Sequence, residues 1–363
     1  MRKYIIALLV CIVLLFIFWP QRSDQVDLIP QSNGIDITSI ERFWNVVEYL
    51  EHDTEPPEEV WGALFFTPGY ARLIDAGLDI EGFKADMTLA FMPTLSNHLD
   101  KTNLDTNQRY FLNIRDHKSL YRGYSSHLTE TPILSRAIDL SRKYLPKEFV
   151  HNYPPPEVAF VFHPMQPDYG TPIIADLVYA HQEGNLLKYQ LGHYSHHYYR
   201  DKLLIFDWTD ISPDEFDLCW VLNQFQAEGL ASQINERYIL FGNGPQADTD
   251  KSIEWHIQLL RAPRFIPVLD SLLVEMERYP ARRRELGGRL KASLPLEGHA
   301  VGYFMASVIM ELFYDVGLVR QVGNPFAYVI RYNLAAKNRV SKHPALSEEA
   351  EKYLRDLERR YVR

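Results

Sequence analysis

The amino-acid sequence predicts a predominantly α-helical protein with a small β-sheet, an α+β fold, behind an N-terminal membrane helix. Apolar residues recur at helical spacing through most of the chain, from "SIERFWNVVEYLEHD" to "SEEAEKYLRDLERRY". One short run, "PEVAFVFHP" at 156–164, is rich in Val and Phe and bounded by prolines, which indicates a strand. The 363 residues are 46% hydrophobic and 23% charged, an ordinary globular composition.

The N-terminus has the pattern of a membrane-targeting segment. Arg2 and Lys3 precede an apolar run at residues 4–19, which ends at Pro20. Sixteen residues span roughly 24 Å as a helix, somewhat less than a hydrocarbon core, and no small-x-small cleavage motif follows the run. We therefore expect residues 1–20 to be a single-pass signal-anchor in the cell membrane, with the body exported. The alternative is a cleaved signal peptide and a secreted protein.

The rest of the chain is predicted to be a polar linker at 21–36 and one domain at 37–363. A net charge of −9 disfavours a nucleic-acid partner. The two cysteines are Cys11, inside the apolar run, and Cys219, so no disulfide can form within the body.

Two helices carry recognisable start signals. Ser212 is followed by Pro213 and, three residues after Ser212, by Glu215, which predicts a capping box at the start of "SPDEFDLCWVLNQFQAEGLASQINE". Ser347, with acidic residues in the next turn, predicts the start of the last helix. We therefore expect these helices to begin directly after Ser212 and Ser347.

The stretch "LGHYSHHYYR" at 191–200 places two histidines one helical turn apart. His193 and His197 have the i, i+4 spacing at which one helix can offer two ligands to a metal ion. Thirteen histidines in a chain of this length predict about half such a pair by chance. A polar aromatic helix face without a metal is therefore the alternative interpretation.

A second predicted helix places a carboxylate on a face that should be buried. Its apolar stripe runs through Leu218, Val221 and Phe225, and the next member of the stripe is Glu228. A carboxylate on a buried face needs a cation or a proton, because burying it unpaired costs several kcal/mol. A metal held by two histidines is one such partner, and Arg or Lys is another. Glycines beside His193 and Glu228 indicate close packing of other elements.

These two motifs resemble those of a known family. "HYSHH", followed 31 residues after His197 by "EGLASQIN", looks like the H-E-x-x-H and E-G-x-A-x-x-I-D pattern of gluzincin-type metallopeptidases. The chain is especially similar to an uncharacterised bacterial family described as zinc-dependent peptidases, over about residues 40 to 340. The resemblance implies a zincin-like metallopeptidase body, a Zn²⁺ cofactor, and His193, His197 and Glu228 as its ligands.

Two positions depart from the family pattern. Tyr194 stands where the family has the glutamate that accepts the proton of the attacking water, and a phenol with a reference pKa near 10 is a poor base. Asn235 replaces the acidic residue of the second motif, which could weaken the support of the ligands. His196 is about 100° round the helix from His197 and should face elsewhere.

Other residues could assist the site or only pack. His299 and Tyr303 form an i, i+4 pair in "GHAVGYFMA" and could support an oxyanion, or they could belong to a packed aromatic helix. We interpret His163, at the end of the predicted strand, as structural or exposed. Cys219 has no neighbour that suggests a nucleophile.

Three classes of function remain open. The first is a membrane-anchored zinc metallopeptidase-like protein that is catalytically impaired because Tyr194 replaces the general base. The second is a pseudopeptidase that acts as an envelope binding or scaffolding module. A plain structural envelope protein without a metal is a third. The expected partners are the membrane, through residues 4–19, and a peptide or protein whose identity the sequence does not give.

Overall fold

The computed structural model describes residues 34–99, 102–150, 152–165, 170–241, 250–338 and 342–362. These residues belong to one compact unit, and most of them are helical. The predicted signal-anchor at 1–20 lies outside the described residues, as does most of the predicted linker at 21–36.

A small parallel sheet lies in the first half of the fold. Its strands are β1 (Ile35–Asp36), β2 (Val158–Val161) and β3 (Ile173–Asp176), in the order β1-β2-β3. Both neighbouring pairs are parallel, with Ile35 opposite Val158 and Val158 opposite Ile173. Each residue of β2 and β3 is buried, as expected for parallel strands covered on both faces. The strand predicted within 156–164 is confirmed.

Helices from the N-terminal half of the chain pack around this sheet. In the first of them, residues at steps of three and four face the core, including Ile40, Phe43 and Val47, because such residues share one face of a helix. The helices up to β2 are α1 (Thr38–Glu51), α2 (Glu58–Phe65), α3 (Pro68–Asp75), α4 (Ile80–Phe91), α5 (Pro93–Ser96), α6 (Thr106–Asp116), α7 (Lys118–Glu130), α8 (Ile133–Arg142) and α9 (Lys147–Val150).

The second half of the fold is helical in its described parts. Its helices are α10 (Leu177–Glu183), α11 (Leu187–Asp201), α12 (Phe216–Ala231), α13 (Glu236–Phe241), α14 (Asp250–Arg278), α15 (Arg283–Ala292), α16 (His299–Val319), α17 (Pro325–Ala336) and α18 (Glu348–Tyr361). Helix α11 packs mainly against α8, whereas α12 packs against α15, α16 and α17. The α+β class with a small sheet is therefore confirmed.

The capping box predicted at Ser212 is wrong. Helix α12 begins at Phe216, and no side chain caps its first turn. Glu215 is instead buried against the C-terminal helix, where Arg360 donates to both of its carboxylate oxygens at 2.8 Å and the Tyr361 hydroxyl donates as well. Tertiary pairing with Arg360 therefore takes the side chain that the local pattern assigned to a cap. At α18 the prediction is confirmed, because the Ser347 hydroxyl accepts from the Ala350 amide at 3.2 Å.

Helix α16 is the most apolar long helix of the described residues. The stretch 295–319 is the one described segment long and apolar enough to cross a membrane by length and composition alone. Its most apolar window is 56% buried inside the fold. Because α16 packs against α12, α14 and α17, we interpret it as a core helix.

Candidate metal centre

Helix α11 carries two histidines on one face. His193 and His197 are one turn apart, and both are buried, with 4% and 3% exposure. Their Nε2 atoms are 3.0 Å apart, and their ring centroids are 4.7 Å apart. The i, i+4 spacing seen in the sequence therefore brings two imidazole nitrogens together inside the fold.

Helix α12 brings a carboxylate to the same point. Glu228 lies on the buried stripe predicted from Leu218, Val221 and Phe225. One carboxylate oxygen is 3.4 Å from His197 Nε2, and the other is 3.5 Å from His193 Nε2. The ligand atoms of the three residues all lie within 4.8 Å of one another. The structure thus assembles the three residues that the sequence singled out.

Two glycines allow the helices behind Glu228 to approach closely. A Cβ atom on Gly229 would lie 2.6 Å from the Gly302 carbonyl oxygen, and one on Gly302 would lie 2.4 Å from the Phe225 carbonyl oxygen. Neither distance is compatible with a side chain. The close packing predicted at Gly229 is confirmed, and the contact is with α16. Gly192 likewise lies against α8, where its Cβ would be 3.1 Å from the Ala137 carbonyl oxygen.

The electrostatics of Glu228 are those of a charged carboxylate among imidazoles. Burial alone would raise its pKa, but the charges of His197 and His299 and polar contacts with the two α11 histidines outweigh burial and hold the pKa well below its usual range. In His193, burial lowers the pKa and Glu228 more than offsets this, so the net change is upward. A negative charge buried between imidazoles attracts a proton or a metal cation.

One atom of this group has the surroundings of a metal ligand. The Oε2 atom of Glu228 is buried and accepts no well-aligned hydrogen bond from a described residue, although imidazole nitrogens of His299 and His193 lie 3.2 and 3.5 Å away. Leaving a buried polar atom unsatisfied costs about 1–3 kcal/mol. Two imidazole nitrogens and one carboxylate from two helices are also the donor set that zinc prefers. The residues present therefore fit a zinc ion.

Asn235 holds the outer side of His193. Its amide oxygen is 3.1 Å from His193 Nδ1, and its amide nitrogen donates to Glu236 at 3.2 Å and to Gln190 at 3.3 Å. The replacement of an acidic residue by Asn235 thus leaves His193 with a polar partner on the side facing away from Glu228. Glu236 was not singled out by the sequence, although its position next to Asn235 was visible there.

His299 joins the group, whereas Tyr303 packs against Trp255. His299 Nδ1 is 3.2 Å from the Oε2 atom of Glu228, and its ring lies parallel to that of His193 at 6.0 Å. Its side chain is 30% exposed, so part of the imidazole is accessible to solvent. Tyr303 packs edge-on against Trp255 at 5.2 Å, and burial raises its pKa to about 12.

Tyr194 lies beside the histidines. It is partly buried, and its ring is 5.0 Å from the ring of His193 and 6.5 Å from that of His197. His196 faces away, as expected, and its Nε2 atom is 3.4 Å from the Tyr144 carbonyl oxygen. The phenol of Tyr194 therefore lies close to the two histidines, at the sequence position where the resemblance implies a carboxylate.

A polar network beneath the site went unnoticed in the sequence. Arg200 is 1% exposed, and its guanidinium donates to Gln226 at 2.8 and 3.1 Å and to Asn223. These residues link α11 to α12. Arg200 lies one turn after His197 on α11, and Gln226 lies two residues before Glu228 on α12. A signal was available, because Asn223 and Gln226 lie one turn apart on another face of the apolar helix α12, but their partner was not recognisable from spacing.

The remaining candidates stay apart from the metal centre. His163 is partly buried after β2, and burial lowers its pKa. Cys219 is fully buried in α12, and burial raises the pKa of its thiol to about 12, so it is not a nucleophile at neutral pH. Both are structural in the fold.

Comparison with known families gives a decisive match. A family model described as "Putative zinc dependent peptidase (DUF5700)" matches residues 61–341, well over half of the chain. The chain belongs to this family. No curated protein and no solved structure matches it. Membership of the zinc-dependent family, together with the group of His193, His197 and Glu228, supports zinc as the cofactor.

Proposed function

We propose that this family member is a gluzincin-type metallopeptidase-like protein that holds zinc through His193, His197 and Glu228 and hydrolyses peptides poorly. One observation carries the proposal: three buried donor atoms, within 4.8 Å of one another, converge from α11 and α12. The family description supports a peptide or protein as the substrate class.

The chain's own residues supply the binding part of such a reaction. A bound zinc ion supplies a Lewis acid that polarises a substrate carbonyl. The Nε2 atoms of His193 and His197 and the charge of Glu228 would hold the ion, and Asn235 orients His193 from behind. His299, partly exposed beside Glu228, offers an imidazole that can form a hydrogen bond with a polar group of a substrate.

Proton transfer is the weak step. A water that attacks a peptide must lose a proton, and the phenol of Tyr194 is a poor acceptor near pH 7. Loss of a general base typically costs ~10²- to 10⁴-fold in rate. We therefore infer impaired rather than absent hydrolysis, because the metal ligands and their support remain.

The second candidate function is binding without turnover. The aromatic ring of Tyr194 beside His193 favours it, because a partly exposed aromatic side chain provides a contact surface where the family pattern provides a base. In this case the protein would be a pseudopeptidase that acts as an envelope binding or scaffolding module.

We further propose that residues 4–19 anchor the protein in the cell membrane and that the domain at 37–363 is exported. The pair Arg2 and Lys3, the uninterrupted apolar run and the missing cleavage motif support this location.

Metal analysis and peptide hydrolysis test the proposed function together. The purified full-length protein should contain about one zinc ion per chain and should cleave a mixed peptide library slowly, with cleavage lost in His197→Ala. A chain that stays metal-free after purification with added zinc contradicts the proposal. A zinc-loaded chain that binds peptides without cleaving them favours the scaffolding module.

A further inference from the structure

The amide of Asn235 lies between the imidazole of His193 and the carboxylate of Glu236. Asn235 is 4% exposed, so water cannot freely replace its partners. Its Oδ1 atom is 3.1 Å from His193 Nδ1, and its Nδ2 atom is 3.2 Å from Glu236 Oε1. The three side chains form a continuous line from a carboxylate through an amide to an imidazole.

The carboxylate fixes the direction of this line. An ionised carboxylate only accepts hydrogen bonds, so the Asn235 atom that faces Glu236 must be the NH₂ group. The amide oxygen then faces His193, and an oxygen can only accept, so His193 must carry its proton on Nδ1. The Nε2 atom is left with a lone pair on the side of Glu228 and His197.

The other partner of the Asn235 amide cannot set this direction. Gln190 accepts from Asn235 Nδ2 at 3.3 Å through its own amide oxygen. Rotation of the Gln190 amide would present a donor instead of an acceptor at nearly the same place. Of these two contacts, only the one with Glu236 distinguishes the two orientations of Asn235.

We propose that Glu236 is a positioning residue that, through Asn235, holds His193 in the tautomer whose Nε2 atom is free to bind a metal. This inference rests on the proposed zinc site and adds a residue to it that no motif assigns. The chain thus keeps a carboxylate behind His193, but one amide further away than a carboxylate at position 235 would be. This arrangement orients the imidazole without a second negative charge in direct contact with it.

A loss-and-rescue experiment on zinc affinity tests the proposal. Full-length wild type, Glu236→Gln, Asn235→Asp/Glu236→Gln and the control Asp217→Asn would be titrated against a zinc-binding indicator at pH 8. Burial raises the pKa of Glu236 to about 7, so pH 8 favours its ionised form. Asp217, on α12, pairs with Lys291 and carries the same charge.

Glu236→Gln should weaken zinc binding by at least ~10-fold, in the range typical of residues that orient metal ligands. Its amide can face Asn235 with either atom and no longer fixes the direction. The double variant should regain most of the wild-type affinity, because the new carboxylate at position 235 would accept directly from His193 Nδ1. Asp217→Asn should leave zinc affinity unchanged. Thermal unfolding of each metal-free variant reports whether it folds.

Three results overturn the inference. They are unchanged zinc affinity in folded Glu236→Gln, failure of the double variant to regain affinity, and a loss in Asp217→Asn as large as in Glu236→Gln. Should Glu236→Gln not fold, nitrogen NMR of metal-free wild type at pH 8 decides, since a neutral His193 that carries its proton on Nε2 contradicts the proposal. Absence of zinc binding in wild type would instead contradict the proposed function itself.

Discussion

Gly229 and Gly302 face each other where α12 crosses α16, and a Cβ atom on Gly302 would lie 2.8 Å from the backbone nitrogen of Gly229. Because Gly229 follows Glu228 and Gly302 is one turn from His299, this contact sets the distance between two residues of the metal centre. The close approach of the two backbones is therefore required both for the geometry of the metal centre and for the packing of the core.

Gly302→Ala should destabilise the fold by about 1–3 kcal/mol or more, because the added methyl group would overlap the α12 backbone. Denaturant unfolding measures the loss. Gly123→Ala is the matched control, because a Cβ at that helical position would meet open space. This variant should unfold with the same free energy as the wild type or a slightly higher one. Equal stability of the two variants would mean that the helices can separate without cost.

Removal of zinc should lower the stability of the wild type. A ligand at 1,000 times its dissociation constant stabilises the folded state by about 4 kcal/mol. Chelator should therefore lower the melting temperature of the wild type by several degrees and leave that of His197→Ala unchanged. If chelator shifts both proteins equally, the stabilising metal is bound elsewhere.

Tyr194→Glu should raise peptide hydrolysis by about 10²-fold, because it places a carboxylate beside the ligands where a base is needed. Initial rates would be compared at equal zinc content, since a new carboxylate changes zinc affinity. Tyr198→Glu, a similar change on the same helix, should give no gain. Efficient hydrolysis by the wild type would show that another residue already acts as the base.

Asp176 should make stability depend on pH. Burial raises its pKa to about 7, despite hydrogen bonds from Tyr110 and from two backbone amides of α10. The folded state therefore holds the proton more tightly than the unfolded chain, whose aspartates have a pKa near 3.9. This contribution to stability is complete below about pH 4 and is lost as the pH rises through 7, by at most a few kcal/mol.

Asp176→Asn should flatten the unfolding free energy between pH 4 and 7, whereas the exposed control Asp75→Asn should reproduce the wild-type slope. Urea unfolding at several pH values measures both. Identical slopes in Asp176→Asn and the wild type would contradict the burial of Asp176 as the cause.

The full-length protein should fractionate with membranes, and external protease should digest its domain. Deletion of residues 1–20 should release the protein into the soluble fraction if it is synthesised in the cytoplasm. Recovery of a soluble mature form that begins near residue 20 would favour the cleaved signal peptide.

The metal centre was predictable because its residues follow helical periodicity. His193 and His197 share a face of α11 by spacing alone, and Glu228 interrupts an apolar stripe where a carboxylate requires a partner. The strand at 158–161 was predictable for a similar reason, since its apolar run is short and bounded by prolines.

Contacts between distant segments were not predictable from local patterns. Strand β1 is two residues long and lies at the end of the predicted linker. It was not recognisable as a strand because its partner is more than a hundred residues away in the sequence. The start of α12 was misplaced because Glu215 binds Arg360 rather than a helix terminus. His299 reaches Glu228 only because two glycines let α12 and α16 meet.

The carboxylate of Glu215 links the C-terminal helix to the start of the helix that carries Glu228. Glu215 immediately precedes the helix that carries Glu228, and its charge is neutralised by Arg360 with help from Arg283. Removing Arg360 would break the shorter of its two ion pairs, and breaking a buried ion pair typically costs 3–5 kcal/mol.

The family match ends at residue 341, before this partner is reached. A chain shortened to the matched region would lose α18 and Arg360, and on the other side it would lose β1 and α1. The described fold therefore extends beyond both ends of the region that the family model matches. Expression of the domain alone should begin before Ile35 and retain Tyr361.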